Sequence, residues 1–273
     1  MYRGYFINLA RSRRRRAALL RHLEDIGAAA RYQRVDAVDG RAVAADFSSQ
    51  LDPGSLGVWL THEALLRACR SVDRHLHVIE DDTIFARRAV RTFDVVLRQA
   101  DEQLEWDLIF TEILVPFSVP VFRQLAGEIE AHARSKRSAL IDLAGIAFAG
   151  ATSFFINRNA IDKYAALIAG KWSLGQPLDL FIRQQVRDGA LRAYVTVPFL
   201  TSISNSVESD VRGRLTRSEQ VCNVLRRGFF EDADLRSLQR EMRTLMKGAR
   251  LSELAGLFAA AASFAASDRW KPF

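Results

Sequence analysis

Apolar positions follow two alternating patterns over the first 200 residues. Short apolar runs that predict strands lie at residues 5–9, 32–37, 76–80, 107–111, 153–157 and 193–197. Between them, apolar residues recur at helical spacing and predict helices over residues 13–27, 55–72, 87–99, 159–169 and 177–187. Strands that alternate with helices favour an α/β fold, in which a mostly parallel sheet is flanked by helices.

The pattern changes near residue 215. Residues 204–216 are polar and loop-like, whereas residues 217–266 predict a wholly helical segment that carries many basic residues. We therefore divide the chain into a main domain, residues 1–215, and a C-terminal helical extension, residues 216–273. Dimerisation, membrane docking and simple packing all stay open as roles for the extension.

The composition is that of a folded protein without a disulfide framework. Of the 273 residues, 49% are hydrophobic, and mixed charges along the chain argue against wholesale disorder. Cys69 and Cys222 are too few for a disulfide scaffold or a multi-cysteine zinc site, and they fit a reducing compartment. The start lacks signal-peptide features, and the apolar stretch 254–266 is shorter than the ~20 residues of a spanning helix. We expect a cytoplasmic protein, with peripheral contact to the inner membrane as an open alternative.

The formal net charge of +7 suits nucleic acid, anionic lipid or a phosphorylated substrate. Four consecutive arginines at residues 13–16 fit either a nucleic-acid patch or the solvated first turns of a helix. No zinc-finger, RNP or helix-turn-helix pattern accompanies them, so we expect no nucleic-acid partner.

The sharpest local feature is the acidic triplet Glu80, Asp81 and Asp82, directly after an apolar strand. Side chains two positions apart in an extended chain share a face, so Glu80 and Asp82 can point together into a cleft at the strand end. Two converging carboxylates suit Mg²⁺ or Mn²⁺, which would neutralise charge on a departing diphosphate. An acidic N-cap for the next helix is the alternative.

Other polar residues follow predicted strands or begin predicted helices. Asn8 lies at the end of the first strand and Arg11 follows it, where backbone amides with Arg11 or Arg15 could hold phosphate. Asp39 suits a base or ribose contact, or a simple turn. His62 suits a phosphate or hydroxyl contact, although a helical histidine is more often structural. Asp179 suits either helix capping or proton abstraction from an acceptor hydroxyl.

In order along the chain, these segments resemble glycosyltransferase family 25, the lipooligosaccharide and procollagen galactosyltransferase-like enzymes. The resemblance covers about residues 4–210. Its motifs are residues 7–12 with Arg15, 37–40, 57–62, 80–82, 106–109, 151–157, 177–179 and, more weakly, 206–210. Val58 stands where the family usually has cysteine and Thr61 where it has serine. Glu112 and Ile113 stand where the family often has Leu-Gly.

The resemblance implies a GT-A fold for residues 1–215, a nucleotide-sugar donor, often UDP-galactose, and a divalent cation. Glu80 and Asp82 would hold the cation. The residues implied for donor binding are Asn8, Leu9, Arg11, Arg15, Asp39, Gly57, His62 and Asp81. Asp179 would be the catalytic base, with Glu112 as the reserve. Many GT-A enzymes use a late histidine as a further metal ligand, but this chain has none after His132, so Asp210 or water would serve.

The implied acceptor is a hydroxyl of a cell-envelope glycan or glycolipid such as lipooligosaccharide. A catalytically inactive relative that binds nucleotide or glycan is the alternative function. The sequence leaves open whether the protein forms an oligomer.

Overall fold

A computed structural model of the chain describes residues 2–114, 119–135, 138–204 and 217–247. Its centre is a seven-stranded sheet with the order β2-β1-β3-β7-β5-β8-β6. The strands of this sheet are β1 (Tyr2–Asn8), β2 (Tyr32–Asp36), β3 (His75–Glu80), β5 (Leu108–Phe110), β6 (Ala139–Asp142), β7 (Ser153–Ile156) and β8 (Ala193–Val197). A two-stranded sheet pairs β4 (Thr83–Phe85) with β9 (Thr201–Ile203).

Most of the main sheet is parallel, as the sequence predicts. Strand β1 pairs in parallel with both β2 and β3, and β5 pairs in parallel with β8. Strand β7 is antiparallel to its neighbours β3 and β5, and β6 is antiparallel to β8 at the sheet edge. The carboxyl ends of β1, β2 and β3 therefore meet at one edge, beside the start of β7.

Helices cover the sheet and explain its apolar strands. They are α1 (Arg13–Asp25), α2 (Gly40–Val43), α3 (Pro53–Ala68), α4 (Ala89–Gln103), α5 (Val119–Ser135), α6 (Ile161–Ile168), α7 (Leu178–Arg187), α8 (Arg217–Gly228) and α9 (Leu235–Met246). One core cluster contains Trp59 of α3 and Phe181 of α7, and a second contains Leu23 of α1 and Phe93 of α4. Apolar residues of the strands contribute to both clusters, so the sheet is buried on two faces.

The C-terminal segment differs from the prediction of one continuous helical region. Helices α8 and α9 are separated by residues 229–234, and the Phe199 N–H donates to the Phe229 carbonyl over 2.7 Å. Phe229 is buried in the same core cluster as the sheet, so this break is where the extension joins the body of the protein. The predicted helical stretch beyond residue 247 lies outside the described residues. Within the described part of the chain, no helix combines the length and apolar character needed to cross a membrane.

Candidate functional site

A cleft of about 250 Å³ opens at the carboxyl ends of β1, β2 and β3. This is the edge at which open α/β sheets bind their ligands. Its volume lies just below that of typical small-molecule sites, which span roughly 300–1,000 Å³. Nine of the residues expected in the site line it: Leu9, Arg11, Arg15, Asp39, Gly57, His62, Glu80, Asp81 and Asp82.

In the acidic triplet, Glu80 ends β3, and Asp81 and Asp82 form the turn between β3 and β4. Because a strand follows it and α4 begins only at Ala89, the alternative that the triplet is an N-cap is wrong. The turn is fastened at both ends: the Glu80 N–H donates to the Thr152 carbonyl over 2.8 Å, and the Ser204 N–H donates to the Asp82 carbonyl over 2.8 Å. These bonds, to the residue before β7 and from the residue after β9, hold all three carboxylates at the cleft.

Asp81 is the anchored member of the triplet. Its side chain is buried, the Asn8 amide donates to its Oδ2 over 2.5 Å, and Arg15 lies 2.5 Å from its Oδ1. Asn8 is itself held by Arg34, whose Nε donates to the Asn8 Oδ1 over 3.0 Å. Asn8 thus lies behind the cleft wall and acts through Asp81. Sequence reasoning missed Arg34, because a single basic residue within a strand carries no distinctive pattern.

Glu80 and Asp82 keep acceptor capacity toward the cleft. Arg15 lies 3.1 Å from Asp82 Oδ2, while Asp82 Oδ1 is buried without a hydrogen-bond partner among the described residues. Burial raises the pKa of Glu80 to about 8, and the Asp82 charge adds to this shift while Arg15 opposes it. A cation between the two carboxylates would relieve both the repulsion and the unsatisfied oxygen.

The side chains available as metal ligands nevertheless limit how a cation could be held here. The described residues contain no group of three or more histidine, cysteine, aspartate or glutamate side chains arranged to hold a metal ion. Both Asp81 oxygens already accept from Asn8 or Arg15. The residues therefore fit a hard cation that is held by two carboxylates and completed by water or ligand phosphate, which is the usual mode for Mg²⁺. Asp210, expected as a further ligand, lies outside the described residues.

The opposite wall of the cleft joins α1, the loop after β2 and α3. Arg11 forms an ion pair with Asp39, and Asp39 caps α2 by accepting from the Arg41 N–H over 3.2 Å. The Thr61 hydroxyl of α3 accepts from the Val38 N–H over 2.9 Å, which fastens this loop to the helix. Asp39 therefore stabilises a turn, which is one of the two roles that the sequence suggests for it. It also faces the cleft.

Gly57 and Gly40 let the loop and α3 approach closely. A Cβ on Gly57 would lie 2.6 Å from the Val38 carbonyl oxygen, and a Cβ on Gly40 would lie 1.6 Å from the Pro53 carbonyl oxygen. Both distances are below any tolerated Cβ contact. Close backbone packing is thus sufficient to require glycine at position 57, in addition to its place on the cleft wall.

His62 forms part of the cleft floor. Its side chain is 1% exposed and its ring is nearly parallel to that of Phe154, with the centroids 5.9 Å apart. Burial lowers the pKa of His62 to about 4, so the imidazole is neutral at pH 7. Its Nδ1 has no hydrogen-bond partner among the described residues. A neutral ring with an unsatisfied nitrogen can bond a ligand hydroxyl or amide.

The two candidate bases lie outside the cleft lining. Glu112 follows β5 and is fully buried against Arg226 of α8, whose Nε donates to Glu112 Oε2 over 2.7 Å. Asp179, in the first turn of α7, accepts from the N–H groups of Gly150 and Leu180, each over 2.9 Å. Both carboxylates are therefore occupied by protein donors.

Arg226 is a second residue that sequence reasoning missed. It reaches from α8 to the carboxyl edge of the sheet, where its Nη2 also donates to the Thr152 hydroxyl over 3.0 Å. Burial raises the pKa of both Glu80 and Glu112, and the Arg226 charge opposes both rises, so Arg226 acts electrostatically on the acidic side of the cleft. A helical arginine in a basic segment has no sequence signal that separates it from solvated neighbours.

A scan against protein-family models and a search of curated proteins each find no match for the chain. The geometry of the cleft and the order of its motifs are what bear on function.

Proposed function

We propose that this chain is a glycosyltransferase with a GT-A fold that transfers a sugar, galactose by resemblance, from a nucleotide-sugar donor to a hydroxyl of a cell-envelope glycan. One observation carries the proposal. Four sequence segments that resemble family 25, residues 7–15, 37–40, 57–62 and 80–82, converge on a single cleft at the carboxyl edge of a mostly parallel sheet.

The basic and polar wall would take the nucleotide. Arg11 and Arg15 flank the start of α1, where exposed backbone amides and guanidinium groups favour phosphate. Asp39 offers a carboxylate to ribose hydroxyls, as acidic residues after a strand do in other nucleotide sites. His62, neutral and partly unsatisfied, offers a hydrogen bond on the cleft floor.

The acidic wall would take the diphosphate through a divalent cation, Mn²⁺ or Mg²⁺, held by Glu80 and Asp82. When bound, such a cation supplies positive charge that stabilises the departing diphosphate. Arg15 would be drawn from Asp82 toward the phosphates, since it already lies between the two walls. Asn8 would keep Asp81 in place during this exchange.

The transfer itself is a displacement at the anomeric carbon. The acceptor oxygen forms a bond to that carbon, the bond from the carbon to the phosphate oxygen breaks, and its electron pair leaves with the diphosphate. The acceptor proton passes to a base. Asp179 and Glu112 remain the proposed bases; either would first have to release a protein donor, namely the Gly150 N–H or Arg226.

A second candidate function is binding without catalysis. It is favoured by the Arg15 ion pairs, which place a protein cation against Asp81 and Asp82, where a metal would compete with it. A cleft of this kind could bind the phosphates of a nucleotide through arginine side chains, without a metal ion. Nucleotide affinity that is the same with and without Mn²⁺ would support this candidate.

The test is a donor-hydrolysis screen. UDP-galactose, UDP-glucose, UDP-N-acetylglucosamine, GDP sugars and CMP sugars are each incubated with Mn²⁺ and the wild-type protein. We expect slow hydrolysis of one donor and a loss of at least ~100-fold in Asp82→Asn, because the charge that holds the cation is removed. The matched control is Asp188→Asn, which removes a half-exposed carboxylate at the C-terminal end of α7.

Unchanged hydrolysis in Asp82→Asn would contradict the cation-binding role. Absence of hydrolysis for every donor is followed by calorimetry with UDP, GDP and CMP, each with and without Mn²⁺. Binding that strengthens with Mn²⁺ supports a transferase that requires its acceptor, whereas absence of binding would overturn the proposal.

A further inference from the structure

The outer face of α9 carries a stripe of basic side chains. Arg236, Arg240 and Arg243 are exposed, and their spacing of four and three residues places them on one helical face. Lys247, also exposed, follows as the C-cap of the helix. At 1.5 Å per residue the stripe is roughly 16 Å long. Ser237 and Thr244 are also exposed, while Glu241, the acidic residue of α9, pairs with Arg227 instead of with an arginine of the stripe.

The inner face of α9 is already occupied. Leu238 and Met242 are buried in a small cluster with three residues of α8, Val221, Val224 and Leu225. Glu241, the acidic residue within α9, is held by Arg227 of α8 over 2.7 Å. This packing fixes the rotation of α9 about its axis, and it leaves the basic stripe facing outward.

The three arginines of the stripe have no counter-charge within the described part of the chain. Arg236, Arg240 and Arg243 form no ion pair with a described residue, although Arg227 on the adjacent helix does. Like charges one helical turn apart repel and destabilise a helix. Repulsion among these three arginines therefore destabilises the folded protein, and contact with an external anionic surface would remove that destabilisation.

The neighbouring sequence favours a lipid surface over a nucleic acid. Residues 254–267, which follow α9 closely, contain no charged residue and include Leu254, Leu257 and two phenylalanines. Nucleic acid offers phosphates but no apolar phase, whereas an anionic bilayer offers both. Basic charge combined with apolar residues is the pair of signals that peripheral membrane proteins use.

We propose that the basic stripe of α9, formed by Arg236, Arg240, Arg243 and Lys247, docks the protein onto an anionic lipid surface. The proposal goes beyond sugar transfer and does not depend on it, because the stripe lies on a helix that contributes no residue to the cleft lining. Together with that proposed function, it would bring the protein to the membrane that carries a glycolipid acceptor.

The test is vesicle flotation with the full chain. One set of vesicles is pure phosphatidylcholine and the other contains 30% phosphatidylglycerol. We expect binding to the anionic vesicles alone, weakening as salt rises from 0.1 to 0.5 M. A triple variant, Arg236→Gln, Arg240→Gln and Arg243→Gln, should lose roughly 100-fold in partition coefficient, since each basic residue near such a surface contributes about fivefold.

A second triple variant controls for net charge. Arg67→Gln, Arg74→Gln and Arg98→Gln remove the same charge from exposed sites outside the α9 stripe, and this variant should float as the wild type does. Circular dichroism of both variants checks that the helices are retained.

Three results would overturn the proposal. They are wild-type levels of binding by the stripe variant, equal binding of the wild type to both kinds of vesicle, and stripe-dependent binding of RNA or DNA without binding of anionic vesicles. Donor and acceptor are absent from the assay, so its outcome is separate from that of the hydrolysis screen.

Discussion

Replacing Glu112 by leucine is expected to cost about 3–5 kcal/mol of unfolding free energy, because it leaves a buried guanidinium without its counter-charge. The Glu112 and Arg226 side chains are 0% and 6% exposed, and Arg226 Nη2 lies 2.6 Å from Glu112 Oε1. At ~2 °C per kcal/mol for a chain of this size, the midpoint of thermal unfolding should fall by roughly 6–10 °C. Urea unfolding followed by circular dichroism gives the free energy directly.

The matched control is Asp188→Leu. Asp188 also pairs with an arginine, at 3.0 Å from Arg187 Nε, but the Asp188 side chain is 46% exposed and that of Arg187 is 70% exposed. Solvent screens that pair, so its loss should cost no more than ~1 kcal/mol. The double variant Glu112→Leu with Arg226→Met should recover most of the loss, because an apolar pair replaces a buried ion pair. Equal costs for Glu112→Leu and Asp188→Leu, or no recovery in the double variant, would refute the reasoning.

Two further predictions concern the cleft walls. The depressed pKa of His62, about 4 against 6.5 when exposed, means that the unfolded chain takes up a proton first as pH falls. Stability should therefore decline between pH 6.5 and 4 by on the order of 3 kcal/mol from this group, and His62→Phe should flatten that decline in urea unfolding; an unchanged pH profile would contradict it. Gly57→Ala should lower both the thermal midpoint and UDP affinity, because its Cβ would press on the Val38 carbonyl. Gly145→Ala, where a Cβ meets nothing within 4 Å, is its control, and equal midpoints for the two variants would refute the packing argument.

The main elements of the fold follow from local patterns. The strand predicted at 193–197 is β8 as observed, and the helix predicted at 177–187 is α7 with one residue removed from its start. Strands β4, β6 and β9 were not predicted, because three or four residues are too few for alternation to stand out. Strands β5 and β7 are equally short, but they lie within the longer strand-like runs at residues 107–111 and 153–157. The reversed direction of β7 was also beyond prediction, since an apolar run has the same composition in either orientation.

The sequence by itself determined which residues could do chemistry at the strand ends. An acidic triplet directly after an apolar strand must emerge at the sheet edge, and Asn8, Asp39 and the triplet do so because their strands are parallel. Only the tertiary structure decided which carboxylates are already engaged. Asn8 and Arg15 occupy Asp81, and Arg226 occupies Glu112, across separations of up to 114 residues. Periodicity reports which face of an element is buried; the partner of that face is chosen by packing of the whole chain.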